Sequence, residues 1–479
     1  MELDKDLAAR HEARQLCRMA EVAQRKLATM DQKALDAICR QIARDFAACA
    51  TELAELAVRE TGFGNVEDKT QKNRFASEKV FAAVQDQKVV GILREDPQKK
   101  LWEIGVPVGV IAAIVPSTNP TSTICYKAII ALKSGNAVVF SPHPKALSCS
   151  VRAAQIVMAA AQKAGAPEGC VGILRMGSMA GCQELMAAPE VKLILATGGP
   201  GMVRAAYSSG KPAIGVGAGN GPAYIHHSAD VPHALRCIAR SKSFDYGTVC
   251  ASEQSIMVEK SMEKRVREEA AQQGYYFMDT QQAGLLAKCL FLPGGGINPK
   301  VVGKPAGELA QMAGFSVPAD TCVLVAKEQE AGPTRPYSME KLCPVLAFFV
   351  MDNEDAVLKK AQEVLSHEGS GHTFAIHARE EAVVRKFALQ IPVSRFLVNT
   401  PAALGGIGLS TNLFPALTLG CGAVGGSSSS NNISPMDLVN IRRVAFDNTQ
   451  ADMQSEGDEK VDARLVELLA EKILQRLGK

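Results

Sequence analysis

The spacing of apolar residues divides the chain into two textures. Over residues 1–95, Ala, Glu, Lys and Arg dominate. Leu35, Ile38, Ile42, Phe46 and Cys49 recur at the three- and four-residue intervals of one helix face, and Leu53, Leu56 and Ala57 continue it. From about residue 104 the pattern changes. The run IGVPVGVIAAIVP is continuously apolar and rich in β-branched residues, which predicts a strand buried on both faces of a parallel sheet. A helical stretch (123–133), the apolar run NAVVF (136–140), the breaker SPHPKA and a second helical stretch (147–164) follow, and GILRM (172–176) and KLILAT (192–197) read as further strands. Alternation at this pitch predicts an α/β fold with a parallel sheet. Between about 221 and 400 the texture recurs in QSIMVE, TCVLVAKE, VLAFFVMD, TFAIHA and RFLVN, so a second α/β domain is expected.

Beyond GGSSSSNN (425–432) and the strand-like IRRVAF (441–446), the polar segment DNTQADMQSEGDEK reads as a linker. It leads into VDARLVELLAEKILQRLGK. Val461, Leu465, Leu468, Leu469, Ile473 and Leu477 form a broad apolar face there, interrupted by Arg476.

Composition narrows the function classes. The 479 residues are 47% hydrophobic and 22% charged, enough to build a large core in more than one domain. The net charge of +3 comes from interspersed signs, which argues against a nucleic-acid or anionic-membrane surface. No apolar run is long enough to span a bilayer, and the charged N-terminal segment lacks the apolar core of a secretory signal. The 13 cysteines include no C-x-x-C pair, which predicts reduced thiols in a cytoplasmic compartment and no metal site.

Five segments could carry chemistry. TGGPG (197–201) ends a strand and opens a helix, where glycines let backbone N–H groups approach a phosphate; a tight connection explains it equally well. GVGAGNGPAYI (215–225) has four glycines in its first seven residues, fit for a close-approaching ligand, an interdomain crossover, or both. In SFDYGTVCASEQ (243–254), Cys250 is expected in a loop whose small neighbours Gly247, Thr248, Ala251 and Ser252 leave room for a substrate, although a free cysteine is ordinarily a small core hydrophobe. His372 precedes a strand in SGHTFAIHA. Alone it reads as a surface or capping residue; beside a nucleophilic cysteine it becomes a candidate acid or base. Glu340 in EKLCPV would ordinarily be solvated.

These segments, with VPVGVIAAIVPSTNPTST, GNAVVFSPHPKA and VNTPAALGGIG, resemble in content and order the aldehyde dehydrogenase superfamily. The likeness is closest to its CoA-acylating branch, the acetaldehyde and propionaldehyde dehydrogenases, and runs over roughly 15–446. The resemblance implies two Rossmann-like α/β domains and a small β oligomerisation element. A dinucleotide- and CoA-binding domain would occupy 1–220, interrupted by a hairpin at about 97–107. A catalytic domain would occupy 221–432, an oligomerisation strand 433–447, and the linker and helix 448–479.

The resemblance also implies roles. Cys250 is the nucleophile, and Asn119 with the Cys250 amide holds the oxyanion, although an ungapped alignment puts Thr118 at that position. His372 transfers a proton, Glu340 positions the nicotinamide ribose, and Thr118, Ser141, Pro142, His143, Thr197, Gly198, Gly199, Val216 and Gly217 surround the cofactor. Two departures matter. The segment IGVGAGNGP has no acidic residue where hydrolytic relatives keep the glutamate that activates water, so a thioester should wait for a thiol. SPHP stands where those relatives carry a lysine and a glutamate near the adenosine ribose, which leaves NAD against NADP preference open.

The expected activity is NAD- and CoA-dependent oxidation of propionaldehyde or acetaldehyde to the acyl-CoA, reversibly and with ping-pong kinetics. An acylating sulfoacetaldehyde dehydrogenase, a hydrolytic dehydrogenase and a non-catalytic scaffold are the alternatives. The expected assembly is a homodimer or homotetramer. Residues 461–479 are read as a peptide docking on shell or core proteins of a bacterial microcompartment in the cytoplasm, with packing on the protein's own oligomer as the plainer reading.

Overall fold

A computed structural model describes residues 4–292, 296–447 and 464–478. The N-terminal segment folds into helices α1 (Lys5–Leu27), α2 (Gln32–Ala48), α3 (Ala50–Thr61) and α4 (Val66–Arg74). The predicted face is buried at Leu35, Ile38, Ile42, Phe46, Leu53 and Ala57. Asp31 and Asn65 cap α2 and α4 by accepting from Ala34 and Asp68 N–H, both at 2.8 Å.

The apolar run at 104–116 is two strands, not one. β1 (Gly91–Asp96) and β2 (Leu101–Pro107) form an antiparallel hairpin, and β3 (Val110–Val115) starts a different sheet. Pro107 lacks an N–H to continue pairing, and Gly109 takes φ 130°, which turns the chain between the sheets. The hairpin therefore begins at Gly91, earlier than the expected 97. β2 also pairs antiparallel with β15 (Val439–Ala445), closing a three-stranded sheet.

β3, β4 (Ala137–Pro142), β5 (Val171–Ile173), β6 (Val191–Thr197) and β7 (Ala213–Val216) form a parallel sheet ordered β5-β4-β3-β6-β7. β8 (Gly221–Ile225), β9 (Glu253–Glu259), β10 (Tyr275–Phe277), β11 (Val323–Lys327), β12 (Val345–Met351), β13 (Gly371–His377) and β14 (Val393–Val398) form the second parallel sheet, ordered β10-β11-β12-β9-β8-β13-β14. All fourteen residues of helix Pro120–Lys133 are buried beside the first sheet. No described helix is long and apolar enough to cross a membrane.

This topology decides where a ligand can sit. The carboxyl ends of β3, β4, β6 and β7 lead into residues 116–119, 143–145, 197–200 and 216–218, the crevice position of open α/β sheets. From the second sheet, the amino ends of β8, β9, β12 and β13 bring in Gly219, Cys250, Glu340 and His372.

Candidate active site

Between these two edges lies a cavity of about 440 Å³. Of the residues singled out in the sequence, Thr118, Asn119, His143, Thr197, Gly198, Gly199, Val216, Gly217, Cys250 and Glu340 line it together. They come from segments up to 222 positions apart (340 − 118), so their convergence is a product of the fold.

Cys250 follows three consecutive left-handed residues, Asp245 (φ 47°), Tyr246 (φ 51°) and Gly247 (φ 77°). For the two non-glycine residues this costs energy that surrounding contacts must offset. The Asp245 carboxylate supplies such contacts, pairing with Lys69 at 2.8 Å and with Lys72. The small neighbours of Cys250 behave differently from the expectation. Only Thr248 opens on the cavity; Ala251 and Ser252 are buried, and Gly247 packs on Cys343, whose carbonyl carbon lies 2.8 Å from where a Gly247 Cβ would sit. Gly219, for its part, lets its backbone pack closely against the Cys250 loop and His372. A Cβ there would lie 2.0 Å from the Cys250 carbonyl oxygen and 3.2 Å from His372 Cε1.

Asn119 is the residue preceding helix Pro120–Lys133, at its positive end. Its Nδ2 donates to Thr118 Oγ1 at 3.2 Å and to the Thr248 carbonyl at 3.4 Å. Both bonds are long enough to give way to a better acceptor. Glu340 accepts from Gly219 N–H at 2.9 Å, and its own amide donates to Glu368 Oε2 at 2.6 Å.

Three sequence candidates do not line the cavity. Ser141 and Pro142 end β4 and are buried; only the next residue, His143, opens on it. His372 is fully buried rather than a surface or capping residue. It stands behind the Gly219 backbone with Nδ1 2.8 Å from Thr373 Oγ1 and with Nε2 lacking a partner.

Burial dominates the electrostatics. It pushes the Cys250 thiol up to about 12, helped by Glu340 and Cys421 and opposed by Arg395. It raises the Glu340 carboxyl to about 8, with Glu368 adding to the effect. It drives His372 well below the ordinary imidazole range, with Arg395 reinforcing the shift, so the ring is neutral. Burial alone would raise Asp245, but Lys69 and Lys72 outweigh it and hold the carboxyl low.

Sequence reasoning missed Lys69, Lys72, Asp245 and Arg395. Asp245 stands inside the quoted SFDYGTVCASEQ segment, and its position five residues before the cysteine was the one available signal. Arg395 is 2% exposed and hydrogen-bonds the carbonyls of Gly420 at 2.6 Å and Gly371 at 3.4 Å. Nothing in RFLVN announces a buried cation. Away from the cavity, His226, His227 and Glu380 form the one group of three potential metal ligands among the described residues. There Ser228 N–H donates to His226 Nδ1 at 3.3 Å, which favours the proton on Nε2, facing Glu354 Oε2 at 3.5 Å, and burial lowers the ring's pKa; this reads as a polar cluster around a neutral imidazole.

The model described as "Aldehyde dehydrogenase family" matches residues 4–276. The chain is 44% identical over 429 residues to the bifunctional aldehyde-alcohol dehydrogenase of Escherichia coli (strain K12), covering 88% of this chain and 48% of that protein. It thus spans about half the length of that relative. It is 34% identical to the succinate-semialdehyde dehydrogenase (acetylating) of Clostridium kluyveri, covering 92% of this chain and 97% of that one. The crystal structure of an acetylating aldehyde dehydrogenase from Geobacillus thermoglucosidasius superposes with a TM-score of 0.91 at 46% identity, covering 93% and 98% of the two chains.

Proposed function

The chain belongs to the aldehyde dehydrogenase family, and within it we propose a CoA-acylating enzyme that interconverts a short aliphatic aldehyde and its acyl-CoA, with NAD as the hydride carrier. The observation that carries this reading is the set of acidic groups facing Cys250. Residues 213–222 bring no carboxylate to the cavity, and the single lining carboxyl among the described residues, Glu340, is tied to the Gly219 amide and raised to about 8. At neutral pH no carboxylate base among the described residues faces the thioester, so water is a poor attacker and a thiol is the better one.

The residues fit a dinucleotide. Thr197, Gly198 and Gly199 lie at the start of helix Pro200–Tyr207, where backbone N–H groups would hold a phosphate, and Glu340 with Gly217 lines the same cavity as Cys250. When bound, the nicotinamide supplies the hydride acceptor. This chain's residues do the rest. Cys250 Sγ attacks the carbonyl carbon, forming a C–S bond, and its proton is assigned to His372, a neutral imidazole with Nε2 free of a partner. The ring packs against the same Gly219 backbone as the Cys250 carbonyl and would need a bridging water or a small shift of that loop to receive the proton. The negative charge moves to the substrate oxygen, where Asn119 Nδ2 and the Cys250 amide donate. Loss of hydride leaves an acyl thioester on Cys250, and the CoA thiol displaces it, returning the cysteine.

The side chains Phe63, Val249, Ile297, Val302, Leu342 and Ile407 make the wall largely apolar, which suits propionaldehyde or acetaldehyde. A sulfoacetaldehyde needs a cation beside the reacting end. The one ammonium among the lining residues is Lys145, at the β4 end and 5.7 Å above the Phe63 ring. A half-buried Cys250 that lines the cavity speaks against a non-catalytic scaffold.

Two assembly proposals accompany this. Ile92 and Phe446 are exposed on or beside the three-stranded sheet, which suits a dimer or tetramer built through it. Helix 464–477 leaves Leu465, Leu468, Leu469, Ile473 and Leu477 between 52% and 77% exposed. That exposure speaks against packing on its own subunit and suits docking on another protein, shell or core proteins of a microcompartment or a neighbouring copy. Val461 and the linker lie outside the described residues.

The test is NADH formation from propionaldehyde with and without CoA, the product being identified by mass. Strict CoA dependence with propionyl-CoA supports the reading, and CoA-independent propionate overturns it.

A further inference from the structure

An asparagine side chain can serve an oxyanion only if its nitrogen, not its oxygen, faces the charge. Asn119 has its orientation imposed from behind. Lys72 Nζ on α4 donates to Asn119 Oδ1. An ammonium has donors only, so the amide oxygen must face Lys72 and Nδ2 must face away, toward the cavity-lining Thr118 and Thr248. The flipped amide would set NH2 against the ammonium.

Lys72 is in turn held by the nucleophile's own loop. It pairs with Asp245 Oδ2, the oxygen that also accepts from Lys69 at 2.8 Å and from Thr248 Oγ1 at 2.7 Å. Asp245 Oδ1 accepts from Asn65 N–H at 2.9 Å, and Lys69 reaches the Thr118 carbonyl at 2.9 Å. Gly64 leaves space for this carboxylate, since a Cβ there would lie 1.7 Å from Asp245 Oδ1. One buried carboxylate thus anchors both the loop carrying Cys250 and, through α4, the loop carrying Asn119.

We propose that Lys72 is a positioning residue for the reaction, locking the Asn119 amide with Nδ2 toward the oxyanion that forms beside Cys250. The inference rests on reading Asn119 as an oxyanion donor. A lysine that served only to neutralise Asp245 would make the same ion pair but would not act through Asn119, and that difference is measurable.

The experiment is a double-mutant cycle on single-turnover NADH formation from propionaldehyde, with NADH affinity measured alongside. Asn119→Ala is expected to slow the step about 100-fold, the scale for one lost oxyanion donor. Lys72→Met is expected to slow it at least about 10-fold, while NADH affinity stays within about twofold. The double variant should be no slower than Asn119→Ala alone, because both changes remove one effect. Multiplicative losses, an unchanged rate in Lys72→Met, or a loss confined to NADH affinity overturn the proposal while leaving the Asn119 reading intact. A full rate in Asn119→Ala overturns both. If Lys72→Met does not fold, Lys72→Ala, which has no donor for Asn119 and leaves Asp245 paired with Lys69 and Thr248, is judged by the same outcomes.

Discussion

The amide of Gly219 donates to Glu340 Oε1 at 2.9 Å, joining the glycine-rich crossover ahead of β8 to the segment that enters β12. The bond fixes Glu340, which lines the cavity together with Cys250. It also holds a carboxyl that burial and Glu368 raise to about 8.

That shift sets a pH dependence of stability. Between the ordinary glutamate value of 4.5 and about 8 the folded protein keeps a proton that the unfolded chain releases. Stability from this group is therefore present at low pH and lost as pH rises through that window. Glu340→Gln, neutral at every pH, should flatten the fall in melting temperature between pH 6 and pH 8. Parallel curves for the two proteins would refute the shift.

Gly219→Ala tests the close approach at the nucleophile. Its Cβ would lie 2.0 Å from the Cys250 carbonyl oxygen, so the backbone of one loop must move. A displacement of about 1 Å at reacting atoms costs on the order of 100-fold in turnover. Steady-state kinetics beside circular dichroism should show that loss in a folded protein; wild-type turnover would mean the two loops are not in contact.

The Cys250 thiol, pushed up to about 12, should be almost wholly protonated in the resting protein. Alkylation by iodoacetamide, followed by peptide mass, should accelerate about tenfold per pH unit from pH 7 to 9. A plateau below pH 8 would indicate a thiolate already formed. Cys250→Ser should abolish aldehyde-dependent NADH formation and leave the fold intact.

Because His372 stays neutral, the turnover profile should show no ionisation attributable to it between pH 6 and 8. His372→Ala should lower kcat more than NADH affinity, by about 100-fold if it carries the proton. A limb near pH 6.5 that vanishes in this variant would show that the ring titrates.

Removing 448–479 should leave kcat and KM unchanged, since helix 464–477 buries none of its apolar side chains on the subunit. Size-exclusion chromatography and shell-protein pull-down then separate the two readings. Loss of shell binding supports docking, and a smaller oligomer supports packing between subunits.

Most strands were legible because their signal is local. KLILAT, VLAFFVMD and TFAIHA carry apolar runs that suit only buried parallel strands, and all three form them. The run at 104–116 misled because hydrophobicity does not distinguish a paired edge ribbon from a buried strand; Pro107 and Gly109 decide where one ends and the other starts. Cys250, Asn119 and Glu340 were found through motifs whose residue types and order survive in the linear sequence.

Residue order alone therefore determined the α/β alternation and the lack of an acidic residue in IGVGAGNGP, and it singled out Cys250 as the candidate nucleophile through the family resemblance. These depend on backbone periodicity and residue identity, which act over a few positions. The tertiary structure alone decided that His372 is buried and neutral, that Ser141 and Pro142 are buried outside the cavity lining, and that Lys72 reaches Asp245, 173 positions away. A lysine in NVEDKTQKNR looks like any solvated charge on a polar helix. It becomes part of the site only when the fold removes its water and sets a carboxylate and an amide oxygen against it.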